Sequence, residues 1–410
     1  MIHIARTTGG ATWPVLFLPV CLLIIACFVP VAHAGSRAVA WGAGVITNTE
    51  DNNDYGQSVI PNNLTNAVCL AGGWRHSLAL RADGTLLGWG DNSLGQTTFP
   101  AGSNYAAIAC GYLHSLALQT NGQVAAAGDD SYNQSEVPAS VSNVVAIACG
   151  FYHSLALKAN GTVIAWGTDT NPVDYGKDYV SYGQTVVPPG LTNVVAIAGG
   201  GFHSLALLAN GTVTGWGNDV YGQTTIPAGL SNVVAIAAGG ADSLALKANG
   251  TLVDWGDNTY GQTNIPAGLT NVVAIASGGW HHLALRSNGT VVAWGAGVAT
   301  NIYVGYGQNL VPTGLTNVTR IAAGTLNSLA LVGTGQPWLK APLTVAGHVT
   351  NGFTVALPSW NGRVYQLAWT SSLTNPVWNP FPLHSGTGGT LRLTDPQPAG
   401  PIRYYQVKQW

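Results

Sequence analysis

Apolar and polar residues alternate with a period of two along much of this chain, in runs of five or six bounded by glycine, asparagine or proline. Runs of that length and period are strands, and helix is excluded by the pattern. The clearest stretch, VVAIACGFYHSLALKANGTVIAWG, runs from Val144 to Gly167. In it Leu155 and Leu157 share one face, Asn160-Gly161 marks the corner of a two-residue hairpin, and Val163 and Trp166 follow on the return strand. The string HSLAL or a near copy occurs seven times, beginning at His76, His114, His153, His203, Asp242, His281 and Asn327, at spacings of 38, 39, 50, 39, 39 and 46 residues. A unit of about 39 residues is too short to be a domain and has the length of one propeller blade.

Each copy carries the same grammar. The corner recurs as Asp83-Gly84, Asn121-Gly122, Asn210-Gly211, Asn249-Gly250 and Asn288-Gly289, and a Trp-Gly pair is followed by Gly-Gln. Trp41, Trp89, Trp166, Trp216, Trp255 and Trp294 hold the tryptophan position, with Ala127 in the one degenerate copy. A large ring at a fixed place in each unit packs between neighbouring twisted sheets, and the glycine after it permits a tight turn. His76, His114, His153, His203 and His281 read as hydrogen-bonding parts of the scaffold, because Asp242 and Asn327 fill the same slot without an imidazole. The array opens on Arg37–Gly42, a Trp-Gly strand with no hairpin partner before it, and ends on Asn327–Leu331, a SLAL strand with no Trp-Gly strand after it. Pairing the two closes a seven-bladed β-propeller over residues 35–334 and removes its open edges. The expected fold class is therefore all-β, a propeller closed by strands from both ends of the array.

The unit G-x-x-HSLAL-x-x-N-G-T-V-x-A-W-G-x-N-x-x-G-Q-T-x-x-P resembles the repeat of the regulator of chromosome condensation superfamily, in the form shared with secreted β-lactamase inhibitory proteins of propeller type. That superfamily includes a nuclear nucleotide-exchange factor, a plant ultraviolet-B photoreceptor and the secreted inhibitors, so the resemblance implies the fold and leaves the function to the site. The spelling of the repeat is most similar to the inhibitor branch, whose members use aromatic-rich loops on one propeller face.

In a repeat protein the positions that vary between copies are free for function. Variation concentrates in the two residues before each histidine slot, where Trp74, Arg75, Tyr112, Phe151, Tyr152, Phe202 and Trp280 stand. Aromatic loops on one face are the composition of a protein-binding hot spot and equally of a sugar-stacking platform. The same rings could instead plug the central channel or pack on neighbouring loops. Protein binding, inhibitor-like or adhesive, is the leading expectation, and a lectin-like carbohydrate-binding propeller is the alternative.

Charge changes the picture by exclusion. Charged residues make up 7% of the chain, 14 basic against 16 acidic, and they are scattered singly. No basic stripe exists to release counterions from a nucleic acid. No nucleotide-binding glycine loop, zinc motif or nucleophile elbow is present, and no carboxylate pair stands out in the varied loops, so the expected protein is non-catalytic and without a cofactor. Three Trp-Gly to Gly-Gln connections are long, Ala43 to Tyr55, Thr168 to Tyr182 and Ala296 to Tyr306. Glu50, Asp51 and Asp54 in the first, and Asp169, Asn171 and Asp174 in the second, make calcium conceivable, with solvated turns as the default and no EF-hand spacing.

Residues 1–34 read as an export signal: Arg6, an apolar run from Trp13 to Val31, then Ala32-His33-Ala34. Ile24-Ile25-Ala26-Cys27 loosely fits a lipoprotein box, and an uncleaved span is the third reading. Export places the expected partner outside the cytosol, as an extracellular or periplasmic protein. Cys69, Cys110 and Cys149 remain in the mature chain, an odd number that argues against a disulfide framework. After Gly335 the repeat stops, and FTVAL, VYQLAWT, TLRLTD and RYYQVKQW read as strands of a small β-sandwich over residues 335–410, with Trp360, Trp369, Trp378 and Tyr404 as core. This segment resembles the C-terminal β module of exported Verrucomicrobia and Planctomycetes proteins.

Overall fold

The computed structural model describes residues 36–44, 54–102, 104–168, 181–297, 305–333, 344–345, 353–359, 364–370, 379–386, 390–395 and 404–409. Residues 1–34, expected to be an export signal and including Cys21 and Cys27, lie outside them, as do Glu50, Asp51, Asp169, Asn171 and Asp174 of the long connections. The described residues form strands and turns and contain no helix.

The repeat array folds into seven three-stranded antiparallel sheets. Numbered in chain order, their middle strands are His76–Arg81, His114–Gln119, His153–Lys158, His203–Leu208, Asp242–Lys247, His281–Arg286 and Asn327–Val332. In the seventh sheet the third strand is Arg37–Gly42, paired antiparallel with Asn327–Val332 from the far end of the array. The closure expected from the two half-units is therefore present at residue level, with Trp41 opposite Ser328 and Gly42 opposite Asn327. In all seven sheets a register shift follows the first residue of the first strand, and such bulges add local twist.

The corner after each of the first six middle strands differs from the two-residue expectation. In the third sheet Gly161 N–H donates to the Lys158 carbonyl at 2.9 Å and Lys158 N–H to the Thr162 carbonyl at 2.9 Å, so three residues make the loop. Only the glycine takes a positive φ, +80° at Gly161, while Asn160 does not. The asparagine is needed for its side chain: Oδ1 accepts Thr162 N–H at 3.1 Å and Thr162 Oγ1–H at 2.7 Å. This is a type I turn ending in a glycine bulge, which an Asn-Gly pair alone does not distinguish from the two-residue form.

Middle strands are buried on both faces, which is why His, Ser, Leu, Ala and Leu all lose solvent there. Leu155, Leu157, Leu205 and Leu207 are fully buried, each contributing roughly 1.5–3 kcal/mol. Tryptophans lie between neighbouring sheets: Trp166 of the third sheet clusters with Leu116 and Leu118 of the second, and Trp41 with Leu283 and Leu285 of the sixth. Each ring also has a polar anchor. The Gln184 carbonyl accepts both Trp216 Nε1–H at 2.8 Å and Ser204 Oγ–H at 2.9 Å, joining the incoming connection to two strands of its sheet. Trp41 reaches Gln308 O at 2.8 Å by the same geometry, so the amino-terminal strand docks as any other does.

Residues 344–409 add two further three-stranded sheets, one centred on Phe353–Pro358 and one on Val364–Thr370. They share a cluster of Val355, Leu357, Tyr365, Leu367 and Leu393. The four expected strands are present, and a fifth and sixth, Thr344–Val345 and Asn379–Ser385, were not legible. Asn379–Ser385 carries Pro380 and Pro382, which an edge strand tolerates. Trp369 is half-buried, Trp360 and Trp378 lie outside the described residues, and only the backbone of Tyr404 is described. Leu383 N–H donates to the Ala159 carbonyl at 2.9 Å, tying this part to the third sheet of the array.

The anchor can be weighed separately from the ring. Trp216→Phe removes the bond to Gln184 and keeps most of the packing, and should cost about 1 kcal/mol in urea denaturation; Trp216→Ala should cost about 3–5 kcal/mol. A Trp216→Phe variant as stable as the parent would show that the carbonyl anchor contributes nothing.

Candidate functional site

The first strands of neighbouring sheets touch one another through all seven junctions, so they surround a common axis. Just after each first strand the backbones come closest. A Cβ on Gly111 would stand 2.5 Å from the Gly150 carbonyl oxygen, one on Gly150 2.5 Å from that of Gly200, and one on Gly200 2.7 Å from that of Gly239. The next residues form a belt of backbone hydrogen bonds: Trp74 N–H to Tyr112 O at 3.2 Å, Tyr112 to Phe151 at 3.4 Å, Phe151 to Gly201 at 3.3 Å, Gly201 to Gly240 at 3.1 Å, Gly240 to Gly279 at 2.9 Å, Gly279 to Thr325 at 3.1 Å, and Thr325 N–H to Gly73 O at 2.9 Å. The positions that vary most in sequence are thus held at the mouth of the axis by bonds that need no particular side chain.

Beneath the belt lies a second ring. His114 Nε2 meets Ser154 Oγ of the next sheet at 3.0 Å, and His153, His203, His281 and His76 repeat the contact with Ser204, Ser243, Ser328 and Ser115 at 2.8–3.0 Å. Ser154, Ser204, Ser243 and Ser328 spend their hydroxyl hydrogens on glutamine carbonyls. The histidine must therefore donate, which assigns the Nε2–H tautomer. Asn327 keeps the role, with Nδ2 donating to Ser77 Oγ at 3.3 Å. The scaffold reading of the histidines thus rests on an N–H donor, which imidazole and carboxamide share and carboxylate lacks. At Asp242 the pattern is broken, and the next sheet presents His282 where the others have serine, with Nε2 3.0 Å from Asp242 Oδ2 and 3.3 Å from Asp254 Oδ2. Burial pushes the Asp254 carboxyl up to about 7.

On the varied loops the structure gathers six of the seven candidate side chains. Trp74 stacks on Tyr112 with centroids 4.1 Å apart and planes 7° from parallel. Tyr112 reaches Phe151 at 5.1 Å and Tyr152 at 5.7 Å, and Phe202 continues from these at 5.8 and 5.9 Å. Arg75 lays its guanidinium 3.4 Å over the Trp74 ring and 4.8 Å from that of Tyr55, a cation–π contact. Trp280 stands apart and pairs with Tyr260 at 6.5 Å.

Three members of this array were missed in sequence: Tyr55, Tyr132 and Tyr182, the last two packing on Tyr152 and Phe202 at 5.3 and 5.5 Å. The signal was available, because each precedes the Gly-Gln or Asn-Gln pair that was read as scaffold alone. The backbone N–H of each tyrosine is held at 2.8 Å by Oε1 of the buried glutamine two residues on, and that fixes where its ring stands.

The arrangement is strongly asymmetric. Aromatic residues occupy the mouth over the first four sheets, whereas Gly201, Gly240 and Gly279 hold the corresponding belt positions of the fourth to sixth. Phe151 leans across toward those glycines, 3.2 Å from a Cβ built on Gly201 and 3.7 Å from one on Gly240. Part of the plugging alternative is therefore real for Phe151. Trp74, Arg75, Tyr112, Tyr152 and Phe202 are half-buried, Tyr55 and Tyr182 exposed. The array offers π faces, phenol hydroxyls and one guanidinium, which suit binding. Burial pushes the Tyr112 phenol up to about 12, so that ring stays neutral at any physiological pH.

Residues 67–96, 105–134, 144–171, 194–223, 233–262 and 272–299 each match the model of the regulator of chromosome condensation (RCC1) repeat. The seventh sheet, assembled from the two ends of the array, lies outside those matches. Among solved structures the chain is similar to human WBSCR16, 20% identical with a TM-score of 0.54, over 73% of this chain and 99% of that one. It is also similar to Prp20p of Saccharomyces cerevisiae, 21% identical with a TM-score of 0.57, over 74% of this chain and 94% of that one. Prp20p is described with its binding properties to Gsp1p and histones, and a second structure, bound to Kap60, matches 81% of this chain and 97% of its own with a TM-score of 0.57 and 21% identity. No curated protein matches the chain in sequence.

The histidine ring predicts a steep acid limit. Burial holds His76, His153 and His281 at about 3 and His114 and His203 at about 4, against 6.5 when unfolded. The folded pKa values are depressed, so below pH 6.5 the unfolded state binds the extra protons and stability falls as pH falls toward 4. Each histidine adds about 1.4 kcal/mol per pH unit once well below 6.5. His203→Asn, the donor the seventh sheet already uses, should fold and should lower the slope of stability between pH 6 and 4.5 by about one proton. An unchanged slope would show that His203 is not buried neutral.

Proposed function

The chain belongs to the regulator of chromosome condensation repeat propeller superfamily, and from that premise we propose that it is an exported, non-catalytic binding protein. In this reading the seven sheets are seven blades of one propeller over residues 35–334, residues 1–34 direct export, and residues 335–410 form a β-sandwich that follows the propeller. Its partner is an extracellular or periplasmic protein, taken up by the aromatic array at one mouth of the axis.

The observation that carries this reading is the continuity of that array, from Tyr55 and Arg75 through Trp74, Tyr112, Phe151 and Tyr152 to Phe202 and Tyr182. It crosses four sheets without a repeat, and two of the long connections return beside its ends at Tyr55 and Tyr182. A lectin-like propeller would place similar small pockets at equivalent positions of each sheet, whereas one broad, unequal patch of aromatics with an arginine is what a protein hot spot requires. Binding of protein partners by Prp20p is consistent with the class of ligand. It does not carry over the particular partners.

Trp74→Ala/Tyr112→Ala removes the stacked pair, and Trp280→Ala serves as the comparison at the far side of the mouth. A protein captured from the surrounding extracellular fraction should bind the parent and Trp280→Ala alike in calorimetric titration, and the double variant at least thirtyfold more weakly. Equal affinity for all three would remove the array from the interface. Binding of a glycan array by the parent, lost in the double variant, would favour the carbohydrate reading instead.

A further inference from the structure

The junction between the fifth and sixth sheets departs from the repeat at four positions that meet in space. Asp242 stands where five sheets have histidine and the seventh has Asn327. Asp254 precedes Trp255 where the other sheets have glycine or alanine: Ala40, Gly88, Ala126, Ala165, Gly215 and Ala293. His282 replaces the serine of every other middle strand, and Ser277 replaces the Gly, Ala or Cys that ends each other first strand. Strand pairing sets Ser277 directly opposite His282.

The four side chains converge without solvent. Asp242, Asp254 and His282 side chains have no exposed surface, and one donor atom from each lies within 4.8 Å of the others. His282 Nε2 contacts Asp242 Oδ2 at 3.0 Å and Asp254 Oδ2 at 3.3 Å as ion pairs, and neither carboxylate meets a donor in regular hydrogen-bond geometry. One imidazole facing two buried carboxylates leaves negative charge in excess, and burying it is costly unless a cation balances it.

We propose that Asp242, Asp254 and His282 form a buried site for a divalent metal ion of the zinc class, locking the fifth sheet to the sixth. The spacing fits such an ion: donors bound at about 2.0–2.1 Å around a tetrahedral centre stand about 3.3 Å apart, and here Nε2 is 3.0 and 3.3 Å from the two carboxylate oxygens. Two carboxylates and one neutral imidazole carry the charge that one divalent cation neutralises. The imidazole nitrogen disfavours magnesium and calcium, which take oxygen ligands in larger number. His282 Nδ1 is 2.8 Å from Ser277 Oγ. That bond leaves Nε2 facing the carboxylates and fixes the ring, the outer support that ligating histidines have. At the other six junctions a histidine or asparagine donates to a serine; here the ion does the joining.

Because the site is closed, the ion enters as the chain folds. The chain would be unfolded in denaturant with chelator, refolded with or without Zn²⁺, freed of loose metal, and assayed for bound zinc and melting temperature. The comparison is Asp242→His/Asp254→Ala/His282→Ser, which installs residues that other sheets carry at those places and so preserves foldability. The parent should retain one zinc more per chain than the triple variant, and only the parent should melt higher after refolding with Zn²⁺. A zinc content that does not fall by one in the triple variant, or a parent melting temperature indifferent to Zn²⁺, would overturn the proposal and leave an Asp–His ion pair in its place.

Discussion

Everything in the repeat array depends on how closely seven backbones can approach one axis. At Gly111, Gly150 and Gly200 a single added carbon would press on the carbonyl of the next sheet, and only at that distance do the peptide groups one residue further on bond in a circle. The circle closes between Thr325 and Gly73, which come from opposite ends of the array. Closure also satisfies the edge of the seventh sheet, where Arg37–Gly42 completes three strands that would otherwise end in unpaired backbone groups.

That close approach explains the chemistry of the layer beneath. Side chains next to the axis are cut off from water, so charge is costly there and the joints between sheets use neutral donors: imidazole Nε2–H, carboxamide N–H, serine hydroxyl and glutamine carbonyl. Each serine accepts from the sheet before it, and Ser77, Ser154, Ser204, Ser243 and Ser328 donate to the connection entering their own sheet, while Ser115 donates to Cys110 Sγ. The fifth-to-sixth junction alone brings carboxylates into this layer among the described residues, and it does so with Asp242, Asp254, His282 and Ser277 changed together. A single one of those changes would leave a buried group unmatched; the four together make a different joint.

Above the layer the same belt frees the side chains of its residues. Because Trp74, Tyr112, Phe151, Gly201, Gly240, Gly279 and Thr325 are joined through backbone atoms, the belt calls for no particular side chain, although a Cβ at Gly201 or Gly240 would press on the next carbonyl. The chain uses this freedom unevenly, with stacked aromatics over one half and glycine over most of the other. A regular scaffold thereby presents an irregular surface, the feature on which the proposed recognition of one macromolecular partner rests.

What the sequence determined by itself was whatever repeats. Seven copies of HSLAL, the Trp-Gly pairs and the two half-units fix strand identity, order and closure, because each unit's apolar face can be buried only against the next copy. The loop positions that came to form the array were also visible, as the places where copies disagree. What the tertiary structure decided was which of those residues meet. Trp280 is spelled like the others and yet stands with Tyr260 alone, while Tyr55, Tyr132 and Tyr182 join the array from a motif that looked wholly structural. Asn-Gly likewise named a corner without naming its loop length, and Asp242, Asp254 and His282 are single departures lying 12 and 28 residues apart along the chain. Contacts across sheets depend on ring geometry and not on spacing along the chain, so they become readable only once the seven sheets have been set around their axis.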